Sequence, residues 1–310
     1  MNGSRESIGT VGFIGLGIMG APMASNLLGA GFDVVALNWR AAASQRHVAA
    51  GGRVADSIAE VTGAADVVIT MLPDGPAVAE VALARDGVLA SARRGLLYID
   101  MSTIDVATTR RVSDAAQQAG VEALDAPVSG GEAGAVEGTL SIMVGGTETA
   151  YEQALPLFQA MGRTIAHVGP TGTGQIVKAA NQLVVGGTIA LVAEAIVFLE
   201  AHHVEMESAI EVLAGGLAGN RILDRKSRGM LARDFTPGFR VDLHHKDMGI
   251  VLDAARAAGV TVPTGALVGQ LFGALRARGD GALDHTALLR LIESLSGRDE
   301  VSAPDEPSGR

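Results

Sequence analysis

The chain has 310 residues, 48% hydrophobic and 19% charged, with mean hydropathy +0.30; this describes a well-buried globular protein of one large or two ordinary domains and excludes global disorder. Lys and Arg number 24 against 34 Asp and Glu, a net charge of -10, so the field that draws a protein to nucleic acid or an anionic membrane is missing, and neither is expected as a partner. With no Cys there are no disulfides, thiolate nucleophiles or Cys-ligated metals, and the polar opening residues show no secretory signal, so a cytoplasmic location is expected.

Residues 1–9 read as a disordered N-terminal segment. From there the runs Val11–Ile14, Asp33–Leu37, Asp66–Met71, Leu96–Asp100 and Leu140–Val144 are near-continuously apolar, and Ala-rich amphipathic stretches separate most of them. That alternation predicts βαβ units and an α/β domain over 10–170, a Rossmann-type doubly wound parallel sheet. The first strand runs straight into Gly15-Leu16-Gly17-Ile18-Met19-Gly20, followed by a helical pattern. In this spacing Gly15 permits the tight turn, Gly17 lets the backbone approach a pyrophosphate, and Gly20 permits close packing of helix on strand. The second strand ends at Asn38-Trp39-Arg40, where an NAD-specific site carries an acid for the ribose. Asn38 brings no charge to repel a 2′-phosphate, Arg40 is suited to pair with one, and Trp39 to stack near the adenine. NADP is therefore favoured over NAD as the cofactor; the other reading of Arg40 is a surface residue opening the next helix.

Ligands of open parallel sheets bind beyond the carboxyl ends of the strands. This directs attention to Met71-Leu72-Pro73 and Ser102-Thr103, suited to line the dinucleotide, and to Asp125-Ala126-Pro127-Val128-Ser129-Gly130-Gly131. There Ser129 offers a hydroxyl, and Gly130 and Gly131 a concave set of backbone N–H groups suited to a small carboxylate.

After about Pro170 helical periodicity takes over, predicting an all-helical domain over 171–295 and a disordered tail over 296–310. Gly174 to His202 is apolar almost all round, which implies burial by other helices or another subunit and hence a homodimer or homotetramer. Its charge-free core, Ala179 to Ala193, is about 15 residues against the roughly 20 a bilayer needs, and reads as a buried helix. Lys178 stands at the start of this helix, and either reaches solvent or faces a cleft that gives its charge a task. Asn181 and Gln182 share its helix face. His244-His245-Lys246-Asp247 has poor chelating geometry, since helix neighbours do not face one another, and no metal is expected. Lys246 and Asp247 form either a polar edge over the cofactor or a solvated face, and no G-x-S-x-G elbow supports a serine hydrolase.

Taken together, Gly15–Gly20, Asp125–Gly131, Gly172-Thr173-Gly174-Gln175-Ile176-Val177-Lys178 and Lys246-Asp247 resemble the β-hydroxyacid dehydrogenase family, with coverage from about Thr10 to Leu295. The resemblance implies a Rossmann domain, a helical domain forming oligomers, and reversible hydride transfer between NAD(P) and a small β-hydroxyacid. It makes Lys178 the general acid/base, gives Ser129, Gly130, Gly131, Asn181 and Gln182 to the substrate, and puts Phe239, Lys246 and Asp247 beside the cofactor. The Asn181-Gln182 pair and the segments Gly215–Gly219 and Pro237–His244 imply tartronate semialdehyde, reduced to D-glycerate, as substrate. The alternatives are 3-hydroxyisobutyrate or another β-hydroxyacid, and, in a different class, a non-catalytic dinucleotide-binding module.

Overall fold

The computed structural model describes residues 9–37, 39 and 41–298, so Asn38, Arg40, all but Gly9 of the N-terminal segment and the tail from 299 onward lie outside the described residues. The chain divides into two compact units, Met1–Ala180 and Asn181–Arg310.

In the first unit the elements run β1 (Thr10–Ile14), α1 (Gly20–Gly29), β2 (Asp33–Leu37), α2 (Ala41–Ala49), β3 (Arg53–Val54), α3 (Ile58–Ala64), β4 (Val67–Thr70), α4 (Gly75–Leu83), α5 (Val88–Ser91) and β5 (Leu97–Asp100). They continue with α6 (Val106–Ala119), β6 (Glu122–Asp125), β7 (Val128–Ser129), α7 (Gly131–Glu137), β8 (Leu140–Gly145), α8 (Glu148–Met161) and β9 (Gly162–Gly169). The sheet order is β3-β2-β1-β4-β5-β6-β8-β7, with β9 paired to β8. Pairing is parallel from β3 through β6, antiparallel from β8 to both β6 and β7, and parallel again between β8 and β9. This is the Rossmann order, and it reverses direction between β1 and β4, where a crevice opens at the strands' carboxyl ends.

The central strands are apolar at successive positions because both faces of the sheet are covered. Val11, Phe13, Ile69 and Ile99 pack with Met23 and Leu27 of α1 and with Leu157 and Phe158 of α8. Ile14, Val68 and Tyr98 pack on the opposite face with Val61, Val78, Val81 and Val112. The elements that the apolar pattern did not reveal are β3, β6, β7 and β9. Of these, β3 is a two-residue edge strand whose Arg53 pairs with Asp33, and β9 is a partly exposed edge. Edge strands need no apolar residues on both faces, so they leave no apolar run to read. Several helices start at a side-chain cap: Ser57 accepts from the Glu60 N–H, Asp74 from Ala77 and Asp105 from Thr108.

Helix α9 (Thr173–Ala201) leads into the second unit, followed by α10 (Met206–Gly215), α11 (Arg221–Leu231), α12 (Val241–Ala258), α13 (Pro263–Ala277) and α14 (Leu288–Leu295). Among the described residues every strand lies in the first unit. At 29 residues α9 is longer than its charge-free core, and by length and composition alone it could cross a membrane, which corrects the length argument drawn from residues 179–193. Its buried Gln175, Lys178 and Gln182 are instead the mark of a helix packed within protein.

Candidate active site

The glycine loop is built by close approach. A Cβ on Gly15, which has φ +104°, would stand 2.4 Å from the Met71 carbonyl oxygen, and one on Gly20 would stand 1.9 Å from that of Gly15. At exposed Gly17 a Cβ would meet nothing within 4 Å. The first and third glycines therefore draw β1, the loop and α1 together, and the second leaves the space that a pyrophosphate needs. Helix α1 starts with no side-chain cap and no acid in its first turn, as suits a helix end facing an anion. Leu16 is buried, Met19 half-buried and Ile18 exposed; Trp39 is 64% exposed just beyond β2. The loop thus fits a dinucleotide.

The loops after β4 and β5 are tied to each other. The Leu72 N–H donates to Ser102 Oγ at 2.9 Å, and the Ser102 N–H donates to Asp100 Oδ1 at 3.2 Å. Ser102 is wholly buried and joins the two loops, while Met71 and Thr103 are half-buried and Pro73 is exposed. On β7 Ser129 pairs with Ser141 and leads into Gly130 and Gly131, with φ of +141° and +64°. These values call for glycine, and the space beyond Gly131 is open.

Two buried acids stand side by side below these loops. Asp100 and Asp125 are in register at the carboxyl ends of adjacent parallel strands, 4% and 2% exposed. Asp125 accepts the Gly172 N–H on Oδ1 at 2.7 Å and the Gln175 N–H on Oδ2 at 3.0 Å, so it caps α9 from the sheet. The Gln175 side chain in turn donates to the Ser102 carbonyl at 2.9 Å and accepts from the Ile104 N–H at 3.2 Å. One turn further along α9 stands Lys178, 6% exposed. Asp100 Oδ1 accepts from Thr70 Oγ1, whereas Oδ2 accepts no hydrogen bond among the described residues. Burial pushes the carboxyls of both Asp100 and Asp125 up to about 6, against the pull of their donors. Between them a cavity of ≈ 10 Å³ is lined by Tyr98, Ile104 and Thr171 among others, about the least space that admits one water.

In the second unit Gln182 donates to Asp247 Oδ2 at 2.5 Å and accepts from Asn181 Nδ2 at 2.8 Å; Lys246 Nζ lies 3.2 Å from Asp247 Oδ1. His244, buried on α12, faces the Gln182 carbonyl through Nε2 at 3.2 Å and His285 Nδ1 through Nδ1 at 3.0 Å. A carbonyl only accepts, so His244 carries its proton on Nε2 and His285 donates from Nδ1. Phe239 meets both imidazoles edge-on. Burial opposes ionisation of Asp284, but His285, Lys226 and backbone donors prevail and hold its carboxyl at about 2.

Sequence reasoning assigned no role to Asp100, Asp125, Gln175, His285 or Asp284. An acid ending an apolar strand, as at Asp100 and Asp125, was the available signal. The two imidazoles are 41 residues apart and gave none.

Residues 10–169 match the family model described as the NAD binding domain of 6-phosphogluconate dehydrogenase, and residues 172–292 that described as NAD-binding of NADP-dependent 3-hydroxyisobutyrate dehydrogenase. The chain is 40% identical over 297 residues to the 2-hydroxy-3-oxopropionate reductase of Escherichia coli (strain K12), covering 92% of this chain and 98% of that protein. It is 38% identical to the NAD-dependent L-serine dehydrogenase of Pseudomonas aeruginosa, covering 93% and 99%. Among solved structures, Mycobacterium tuberculosis 3-hydroxyisobutyrate dehydrogenase with L-serine matches at 37% identity and TM-score 0.82, covering 92% and 99%. Similarity of this extent reaches across both units and every motif of the sequence, and on it the chain belongs to the β-hydroxyacid dehydrogenase family, as an NAD(P)-dependent oxidoreductase acting on the CH–OH group of a hydroxyacid.

Proposed function

We propose that the chain reduces tartronate semialdehyde (2-hydroxy-3-oxopropanoate) to D-glycerate, reversibly, with Lys178 as the general acid/base. The observation that carries the acid–base role is the burial of Lys178 on a helix whose first turn is hydrogen-bonded to the end of β6 and to the loop after β5. When bound at the glycine loop, a reduced nicotinamide cofactor would supply the hydride that the aldehyde carbon takes up. Lys178 Nζ gives its proton to the carbonyl oxygen, which becomes the new hydroxyl, and in the oxidative direction Nζ takes that proton back. Ser129 Oγ and the N–H groups of Gly130 and Gly131 hold the substrate carboxylate. Asn181 and Gln182 are read as further substrate contacts. The glycine loop, Met71, Leu72, Pro73, Ser102, Thr103, Phe239, Lys246 and Asp247 are assigned to the cofactor, with Arg40 favouring NADP.

The substrates named for the relatives share a carboxylate with CH₂OH or CHO on its α-carbon, and differ in whether the α-carbon also bears hydroxyl, amine or methyl. The α-hydroxyl is preferred here on the similarity to the Escherichia coli protein. A second reading, 3-hydroxyisobutyrate, is favoured by the family model over residues 172–292. Oxidation of NADPH and of NADH with tartronate semialdehyde, by wild type and Lys178→Ala in parallel, tests the proposal. Wild-type turnover and a loss of roughly 10²-fold or more in the variant, with cofactor binding kept, are expected. Absence of wild-type turnover overturns the substrate, and an active Lys178→Ala overturns the mechanism.

The chain is also read as a homodimer or homotetramer. Val184, Leu191 and Phe198, seven residues apart on α9 and each more than 60% exposed, form one apolar stripe suited to a second copy.

A further inference from the structure

We propose that Asp125 is the positioning residue for Lys178: by gripping the Gly172 and Gln175 N–H groups from the end of β6, its buried carboxylate fixes the rotation and depth of α9, and so the place of the ammonium one turn later. The inference rests on the reading of Lys178 as the acid–base group.

Four observations carry it. Where other helices of the chain have a side-chain cap, it comes from the residue immediately before them, as for α3 from Ser57 and α6 from Asp105. The cap of α9 instead comes from 47 and 50 residues away in sequence. A local cap satisfies a helix end wherever that end lies, whereas a cap held in a strand locates the helix against the sheet. The cap is also a costly one, since burial disfavours the ionised carboxyl that two N–H donors require. Backbone has been cleared to admit it: a Cβ on Gly145 would stand 2.6 Å from Asp125 Oδ1, and one on Gly174 would stand 2.8 Å from Oδ2. Finally, Gln175 repeats the attachment at the loop that follows the neighbouring strand β5, bridging the Ser102 carbonyl and the Ile104 N–H, and Lys178 follows it by three residues on the same helix face.

Asp125 also opens the segment that ends in Ser129, Gly130 and Gly131. One carboxylate thus sets the helix that carries the acid and begins the loop proposed for the substrate carboxylate. Reduction needs the carbonyl oxygen within hydrogen-bond reach of Nζ while the carboxylate is held, and a displacement of about 1 Å between those points costs on the order of 10²-fold in rate. An Asn at 125 keeps the shape but has one accepting atom, so its amide N–H₂ must face one of the two N–H donors and lose that grip.

The test is a double-mutant cycle on the full chain: wild type, Asp125→Asn, Lys178→Ala and the double variant, assayed with NADPH and tartronate semialdehyde, with cofactor Kd and melting temperature measured on each. Asp125→Asn is expected to lower kcat by about 10- to 100-fold and leave the cofactor Kd within about threefold. The double variant is expected to be no slower than Lys178→Ala alone, because a residue acting only through Lys178 has nothing left to position. Losses that multiply in the double variant overturn the proposal, as does an Asp125→Asn that raises KM or cofactor Kd with kcat unchanged. Should Asp125→Asn not fold, Gln175→Met, which removes the second attachment, takes its place in the cycle with the same expected and overturning results. A fully active Lys178→Ala overturns the acid–base reading itself, visible in the single variant, whereas failure of the positioning role is visible only in the cycle.

Discussion

Asp100 illustrates what a single buried charge does to this protein. One of its oxygens is satisfied by Thr70 and Ser102, and the other faces no donor among the described residues. With its carboxyl raised to about 6 from an ordinary value of 3.8, the folded state binds more protons than the unfolded state between those pH values. Stability from this group therefore falls as pH rises through that window, and above it the ionised carboxylate is a standing cost on the order of 3 kcal/mol. Asp100→Asn keeps an acceptor for Thr70 and Ser102 and removes the charge. Relative to wild type, the variant is expected to gain about 1–3 kcal/mol at pH 7.5 and little at pH 4.5, read from thermal unfolding at each pH. A difference that stays constant with pH would show that the charge is not what the site bears. Asp125 has the same raised value but spends its charge on two N–H donors, so replacing it exchanges stability for position.

At the scale of elements α9 carries the most. Its first turn is fastened to the end of β6 and the loop after β5, its Gln182 is held by Asp247 and by the His244 side of α12, and its outward stripe of Val184, Leu191 and Phe198 remains exposed. If that stripe is the self-association face, Leu191→Arg places a charge at its centre, which a dry interface cannot bury unpaired. Sedimentation velocity is expected to show the wild type as a dimer or tetramer and the variant shifted toward monomer by at least tenfold in Kd. A wild type that sediments as a monomer would remove the oligomer reading. The strands divide differently. Those buried on both faces are legible as unbroken apolar runs, whereas β3 and β7, with two residues each, exist only because a longer neighbour offers its edge.

For the whole molecule the question left to measurement is which dinucleotide the glycine loop serves. Ligand binding to the folded state alone raises stability with concentration, by about 2.7 kcal/mol at 100 times Kd. At equal concentrations NADPH is expected to raise the melting temperature more than NADH, and Arg40→Ala to erase the difference while leaving the NADH shift unchanged. Equal shifts in the wild type would assign Arg40 to the surface and the site to both cofactors.

The sequence by itself determined the parallel sheet, the phosphate loop and the helical second half, because each is written locally. Burial on both faces demands consecutive apolar residues, a tight turn beside a pyrophosphate demands glycine at set spacing, and a packed helix demands its period. Lys178 stands out as a candidate on the same ground, as the one charge at the start of an apolar helix. The tertiary structure alone decided which distant residues meet within each unit. The pairing of Asp100 with Asp125 depends on the register of β5 against β6, the grip on Gly172 and Gln175 on where α9 meets the sheet, and the contact of His244 with His285 on a return of the chain 41 residues later. Such neighbours are chosen by packing between distant segments, and no local pattern of residues encodes which distant segment will arrive.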